Sequence, residues 1–124
     1  NYIKWIALEK MNVNEIKQLL RKGKVYIDFG NHPGKDRFPR EAAISGCCII
    51  TGKRGAAKFY EDIPISSKYK FNDNIANIDK IINSIKLCLN NYDNEIKNFQ
   101  EYRNIIINEK EKFEKDLLNI FKKV

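Results

Sequence analysis

Residues 25–55 read VYIDFGNHPGKDRFPREAAISGCCIITGKRG. Two short apolar runs, VYIDF (25–29) and CCIIT (47–51), enclose a glycine- and cation-rich loop and a short alanine-bearing segment. Each run is nearly continuous in β-favouring residues, the pattern of a strand covered on both faces. Pro39 suits the first turn of a helix, where its missing N–H has no partner to lose. That helix is expected to run to about Ser45 and stop at Gly46. Gly52 then ends the second strand. A strand, a helix and a strand joined by short connections call for a right-handed crossover and a parallel sheet.

Outward from this stretch the alternation continues. Ile3–Leu8 (IKWIAL) reads as a first strand. Asn12 followed by Glu15 reads as a capping box, and Ile16, Leu19 and Leu20 give an amphipathic helix closed by Gly23. After a looser stretch over 53–74, two helices are predicted. One carries the stripe Ile75, Ile78, Ile81, Ile82, Ile85, Cys88 and Leu89. The other carries Tyr92, Ile96, Phe99, Tyr102, Ile106, Phe113, Leu117 and Phe121, interrupted by EKEK at 109–112. Both stripes are expected to face a core, the last helix alternatively packing on a second domain outside these residues.

At 124 residues the chain has the length of one domain. It divides into a strand–helix part over 1–70 and C-terminal helices over 71–124. No apolar stretch approaches the roughly 18 residues of a membrane span. No signal peptide and no methionine open the sequence, which reads as part of a longer chain. The three cysteines have no metal-ligand spacing, so no metal is expected. Adjacent Cys47 and Cys48 should point to opposite faces of a strand and pack as small hydrophobes. Their usage fits a reducing, cytoplasmic setting, including the inner face of a membrane.

Charge is the sharper signal. The net charge is +7, and residues 71–124 are neutral, with 9 Lys/Arg against 9 Asp/Glu. The whole excess lies in residues 1–70, with 14 against 7. Abundant Lys, Asn and Ile fit an A/T-rich coding bias, but that bias does not explain why three of the five arginines, Arg37, Arg40 and Arg54, fall within 32–58. A local cluster of cations implies a local anionic ligand.

In open parallel sheets ligands bind beyond the carboxyl ends of the strands. Two such ends occur here, FGNHPGKDR and TGKRGAAK. A helix N-terminus offers free N–H groups to a phosphate. Gly34, Gly52 and Gly55 permit close backbone approach. Lys35, Arg37, Lys53 and Arg54 can neutralise a diphosphate, and Glu41 can accept hydrogen bonds from sugar hydroxyls. The established nucleotide fingerprints are missing. Gly30 to Gly34 encloses three residues instead of four, Asp36 stands where a P-loop needs Ser or Thr, and no G-x-G-x-x-G occurs.

The run REAAISGCCIITGKRG, about 16 residues within 34–55, resembles the C-terminal donor-binding domain of GT-B-type glycosyltransferases. Those enzymes place a helix carrying E-A-x-A-x-G before a strand that ends in Thr or Ser and a glycine-containing loop. In architecture the resemblance extends over residues 3–90. It implies a Rossmann-like parallel sheet flanked by helices and ending in two C-terminal helices, of a divergent subfamily. Glu41 then contacts the nucleotide's ribose, Gly34, Lys35 and Arg37 hold the diphosphate with the helix N-terminus, and Gly52, Lys53, Arg54 and Gly55 border the donor. Many members carry another glutamate eight residues before the ribose-binding one, where this chain has Pro33. The substrate implied is a nucleotide sugar, with no separate cofactor. The acceptor, a glycan or lipid-linked molecule in polysaccharide or glycoconjugate synthesis, would be bound by an N-terminal domain outside this chain, and so would the catalytic base.

Each residue also has a structural reading. Arg37 and Arg40 can form surface ion pairs with Asp36 and nearby carboxylates. Glu41 can simply favour a helix start. Asp28 is either surface-facing or a partner for a cation. His32, the only histidine, is a candidate for catalysis or donor contact but lacks a visible nucleophile or metal partner. Two other functions compete. One is a basic nucleic-acid-binding module, although the cations lie in glycine loops and no aromatic binding motif accompanies them. The other is a non-catalytic α/β interaction or signalling domain.

Overall fold

A computed structural model describes residues 3–30, 37–54, 59–60 and 62–122. The chain begins its regular structure with α1 (Val13–Lys22). The Asn12 side chain accepts a hydrogen bond from the Glu15 amide at 2.9 Å, the cap that the sequence predicts. Ile16 and Leu20 turn inward, and the helix closes with the Gly23 amide donating to the Leu19 carbonyl at 3.0 Å. Strand β1 (Val25–Asp28) follows, then α2 (Arg37–Ile44) and strand β2 (Cys48–Thr51).

β1 and β2 pair in parallel, with Val25 opposite Cys48 and Asp28 opposite Thr51. The order strand, helix, parallel strand makes α2 run back against the strand direction. All four residues of β2 are buried, whereas β1 is only partly covered. On the far side of β2 a single parallel bridge joins Thr51 to Lys70, and the Phe71 amide donates to the Thr51 carbonyl at 3.0 Å. β2 is therefore central and β1 lies at the edge. Among the described residues the molecule is an α/β fold built on a two-stranded parallel sheet, parallel as the spacing of apolar runs predicts but one strand short of the expected three.

Cys47 and Cys48 show how the sheet is covered. The Cys47 thiol donates to the Leu20 carbonyl of α1 at 3.1 Å. Cys48 points the other way, to a hydrogen bond with Cys88. Adjacent residues of an extended chain face opposite sides, so Cys47 turns toward α1 and Cys48 toward α3 (Ile78–Asn90), while α2 packs directly against both strands. A short helix α4 (Tyr92–Glu95), a 3-10 turn (Ile96–Phe99) and the long α5 (Gln100–Lys122) follow. Phe99, Tyr102 and Ile106 are buried, and Phe99 stacks at a tilt on Tyr69 with ring centroids 4.6 Å apart. Gly46, after α2, has φ of +95°, a conformation that side chains rarely adopt. The Tyr92 hydroxyl donates to the Gly46 carbonyl at 2.5 Å and ties α4 to this turn.

Several expectations need correction. Ile3–Leu8 forms no strand; Ile3 and Leu8 pack on the core while Trp5 and Ile6 stay exposed. The strands are one residue shorter than their apolar runs: Phe29 lies past β1 and Cys47 before β2. α2 does begin as expected: it starts at Arg37, which puts Pro39 in its first turn. The helical stripes are core-facing only in part. Ile75 and Ile78, at the start of the first, are exposed, and so are Phe113 and Leu117 on α5. A helix of 23 residues outruns the small body against which its first turns pack. Among the described residues, no helix is long and apolar enough to cross a membrane.

Candidate functional site

The carboxyl edge of the sheet is set by backbone hydrogen bonds. The Gly52 amide donates to the Asp28 carbonyl at 3.2 Å, one step beyond the Asp28–Thr51 pair. The Asp28 carboxylate accepts from the Gly30 amide and from the Tyr26 hydroxyl, both at 2.8 Å. That side-chain turn bends the chain sharply out of β1. Asp28 thus serves the turn through a backbone amide and a phenol, which neither sequence alternative described. At Gly52 an added Cβ would stand 3.0 Å from Cδ1 and 3.5 Å from Cα of Phe29. Glycine there lets the two chain exits run side by side.

Lys53 and Arg54 follow directly and are exposed. The Arg54 guanidinium pairs with the Asp73 carboxylate, with both side chains well exposed to solvent. Such a pair is worth little and can yield to a stronger anion. Lys53 has no ion-pair partner among the described residues. Because α2 runs back from β1 to β2, its first residue, Arg37, lies toward this same edge.

Glu41 sits one turn along α2, half-buried. With Arg40, Ile44 and Phe113 it lines a groove of about 860 Å³ between α2 and α5. Arg40 donates to Glu109 of α5 at 2.7 Å. This partly buried pair spans 69 residues of sequence, unlike the local surface pair that the sequence offered as an alternative. The structure therefore gathers Gly52, Lys53 and Arg54 at the sheet edge and places Glu41 on the adjoining helix groove. His32, Gly34, Lys35 and Gly55 lie outside the described residues.

Sequence reasoning missed a polar cluster beside β2. Glu95, only 7% exposed, accepts from the Lys68 ammonium at 2.8 Å and the Tyr69 hydroxyl at 2.9 Å. Asn98 donates to the same Tyr69 oxygen at 2.7 Å. The hydrogen bond from Lys68 holds the Glu95 carboxyl below its ordinary range, against the opposing effect of burial. Burial pushes the Tyr69 phenol up to about 12. A signal for this cluster exists: Glu95 falls between Tyr92 and Phe99 on the apolar face of its helix. Lys70 was missed as well. It is buried, bridged to Thr51, and its ammonium donates to the Phe59 carbonyl at 3.2 Å.

The cysteines are free and buried. Burial raises Cys47 to about 11, and its hydrogen bond with Cys88, followed by burial, holds Cys48 above its ordinary value. Neither is poised as a nucleophile. Among the described residues, no group of His, Cys, Asp and Glu is placed to hold a metal ion. No protein-family model, curated protein or solved structure matches this chain.

Proposed function

We propose that this chain is the nucleotide-sugar-binding part of a GT-B-type glycosyltransferase, with a Rossmann-like sheet whose carboxyl edge takes the donor's diphosphate. One observation carries the reading: β1 and β2 end side by side in parallel register, with Gly52, Lys53 and Arg54 at that end. The start of α2 lies toward the same edge. Free N–H groups of the first helical turn and exposed cations suit a diphosphate. Glu41, one turn further along α2, is assigned to the ribose hydroxyls.

In the reaction an acceptor hydroxyl attacks the anomeric carbon, and the bond from that carbon to the diphosphate oxygen breaks. Negative charge grows on the departing diphosphate. Lys53, Arg54 and Arg37 stabilise it electrostatically, which lowers the barrier in proportion to the charge developed. The base that accepts the hydroxyl proton is assigned to a partner domain outside these residues, so the 124-residue chain should bind donor product without transferring sugar.

Thermal unfolding tests this. UDP or GDP at a concentration 100-fold above its dissociation constant should stabilise the chain by about 2.7 kcal/mol. A short oligonucleotide should not. Protection by the oligonucleotide alone would replace this reading with the nucleic-acid-binding one. Protection by neither would favour a non-catalytic interaction domain.

A further inference from the structure

The open side of β1 is built to receive another strand. The Lys24 and Asp28 carbonyls accept hydrogen bonds from the Cys48 and Gly52 amides at 2.8 and 3.2 Å, so alternate residues of β1 turn their peptide groups toward β2. The intervening Val25 and Ile27 turn theirs to the outer edge. No described strand pairs there. The usual protections of an exposed edge are absent along VYI, which has no proline, no charge and no bulge. A parallel strand as apolar as β1 ordinarily has neighbours on both sides.

Val25 and Ile27 also line an apolar cavity of about 480 Å³, together with Trp5, Ile6 and Leu8 and with Leu20 of α1 and Ile85 of α3. Trp5 is 64% exposed and Ile6 50%. An adjoining depression carries Lys4, Lys22, Lys24 and Lys86, with no acidic residue in its lining. None of these four lysines forms an ion pair among the described residues. The slot therefore offers three things together: peptide groups with no partner among the described residues, apolar walls and a cationic rim.

We propose that the outer edge of β1 binds an extended strand of a partner polypeptide, one with apolar side chains along it and acidic residues at its ends. Main-chain hydrogen bonds to Val25 and Ile27 supply the register, and carboxylates meet the lysine rim. A lipid surface fits less well, because hydrocarbon cannot satisfy the peptide groups. A second copy fits less well too. Antiparallel pairing of two β1 edges would set the lysine rim of one copy toward the Lys53–Arg54 end of the other, cation toward cation.

The test uses the 124-residue chain and synthetic peptides of alternating Val and Thr. One is ended by Glu-Glu at both termini, one by Lys-Lys, and one is Glu-ended with proline at alternate positions. Trp5, the single tryptophan, reports binding by a blue shift of its emission. Amide exchange at Val25 and Ile27 reports pairing. The Glu-ended peptide should shift Trp5 and slow both amides at least tenfold. The Lys-ended peptide should bind at least tenfold more weakly, and the proline peptide should leave both amides unprotected. K22E and K86E, at two exposed lysines of the rim, should reverse the preference between Glu-ended and Lys-ended peptides. Equal affinity for the two peptides would overturn the proposal. So would protection of Val25 and Ile27 in the free chain, concentration-dependent self-association, or sedimentation with anionic phosphatidylserine vesicles in place of peptide binding.

Discussion

Asp28 and Thr51 stand opposite each other at the last paired position of β1 and β2, and the Gly52 amide donates to the Asp28 carbonyl at 3.2 Å. Both chains thus leave the sheet at one level. The space between the exits is small enough that a Cβ on residue 52 would press on Phe29. G52A should therefore cost about 1–3 kcal/mol of stability through overpacking. Denaturant unfolding of G52A beside wild type measures it, and an unchanged midpoint would show that Phe29 is free to move aside.

Glu95 gives a pH signature. Its folded-state pKa lies below the ordinary carboxyl value, chiefly through the hydrogen bond from Lys68. The stabilisation it provides is fully present above that ordinary value and is lost as pH falls through the lowered one. E95Q should lose this acid-range part of the stability curve. E95A, which also leaves the buried Tyr69 hydroxyl without its acceptor, should cost roughly 1.5–3 kcal/mol at neutral pH. Unfolding free energies between pH 3 and pH 7 decide it; parallel curves for wild type and E95Q would contradict the assignment.

Side-chain truncation at the foot of α5 and along its distal half should have different effects. Phe99, just before the helix, is fully buried, while Phe113 is 63% exposed. F99A should cost about 3–5 kcal/mol, and F113A should fall within about 0.5 kcal/mol of wild type. A large loss from F113A in the isolated chain would mean that the distal helix folds back on the body.

The thiols provide an independent check of the sheet. Cys47, Cys48 and Cys88 are all buried, and Cys47 is raised to about 11. Iodoacetamide at pH 8 should leave all three unmodified in the native chain and alkylate all three after denaturation. Rapid native labelling of Cys48 would show that α3 does not cover it.

Much of this arrangement can be read from the sequence because local rules and burial agree there. VYID and CIIT are β-favouring throughout, and Asn12, Glu15 and Gly46 punctuate helices with chemistry that the backbone needs. IKWIAL shows that an apolar run does not by itself make a strand: its side chains fit one, yet it lines the cavity beside β1 without pairing to that edge. The stripes at Ile75 and Phe113 mislead because periodicity reports which face is apolar and not whether anything covers it. Glu95 is hidden within a stripe defined by apolar positions, although an acid on an apolar helix face needs a buried partner. Arg40 shows the limit of local pairing arguments, since its carboxylate comes from Glu109, far away in sequence.

The central claim is that the cations at the carboxyl edge, and not the chain's general positive charge, bind a nucleoside diphosphate. Arg37 opens α2 toward that edge, whereas Arg21 lies in the last turn of α1, which leads to the amino end of β1. Calorimetric titration of UDP and GDP into R37A and R21A at physiological salt compares them directly. R37A should lose roughly 1.5–3 kcal/mol of binding, the scale of a charge-assisted hydrogen bond. R21A should bind as wild type does, apart from a small salt-sensitive background. Equal losses in the two variants would mean diffuse electrostatics and would contradict a donor site at the ends of β1 and β2.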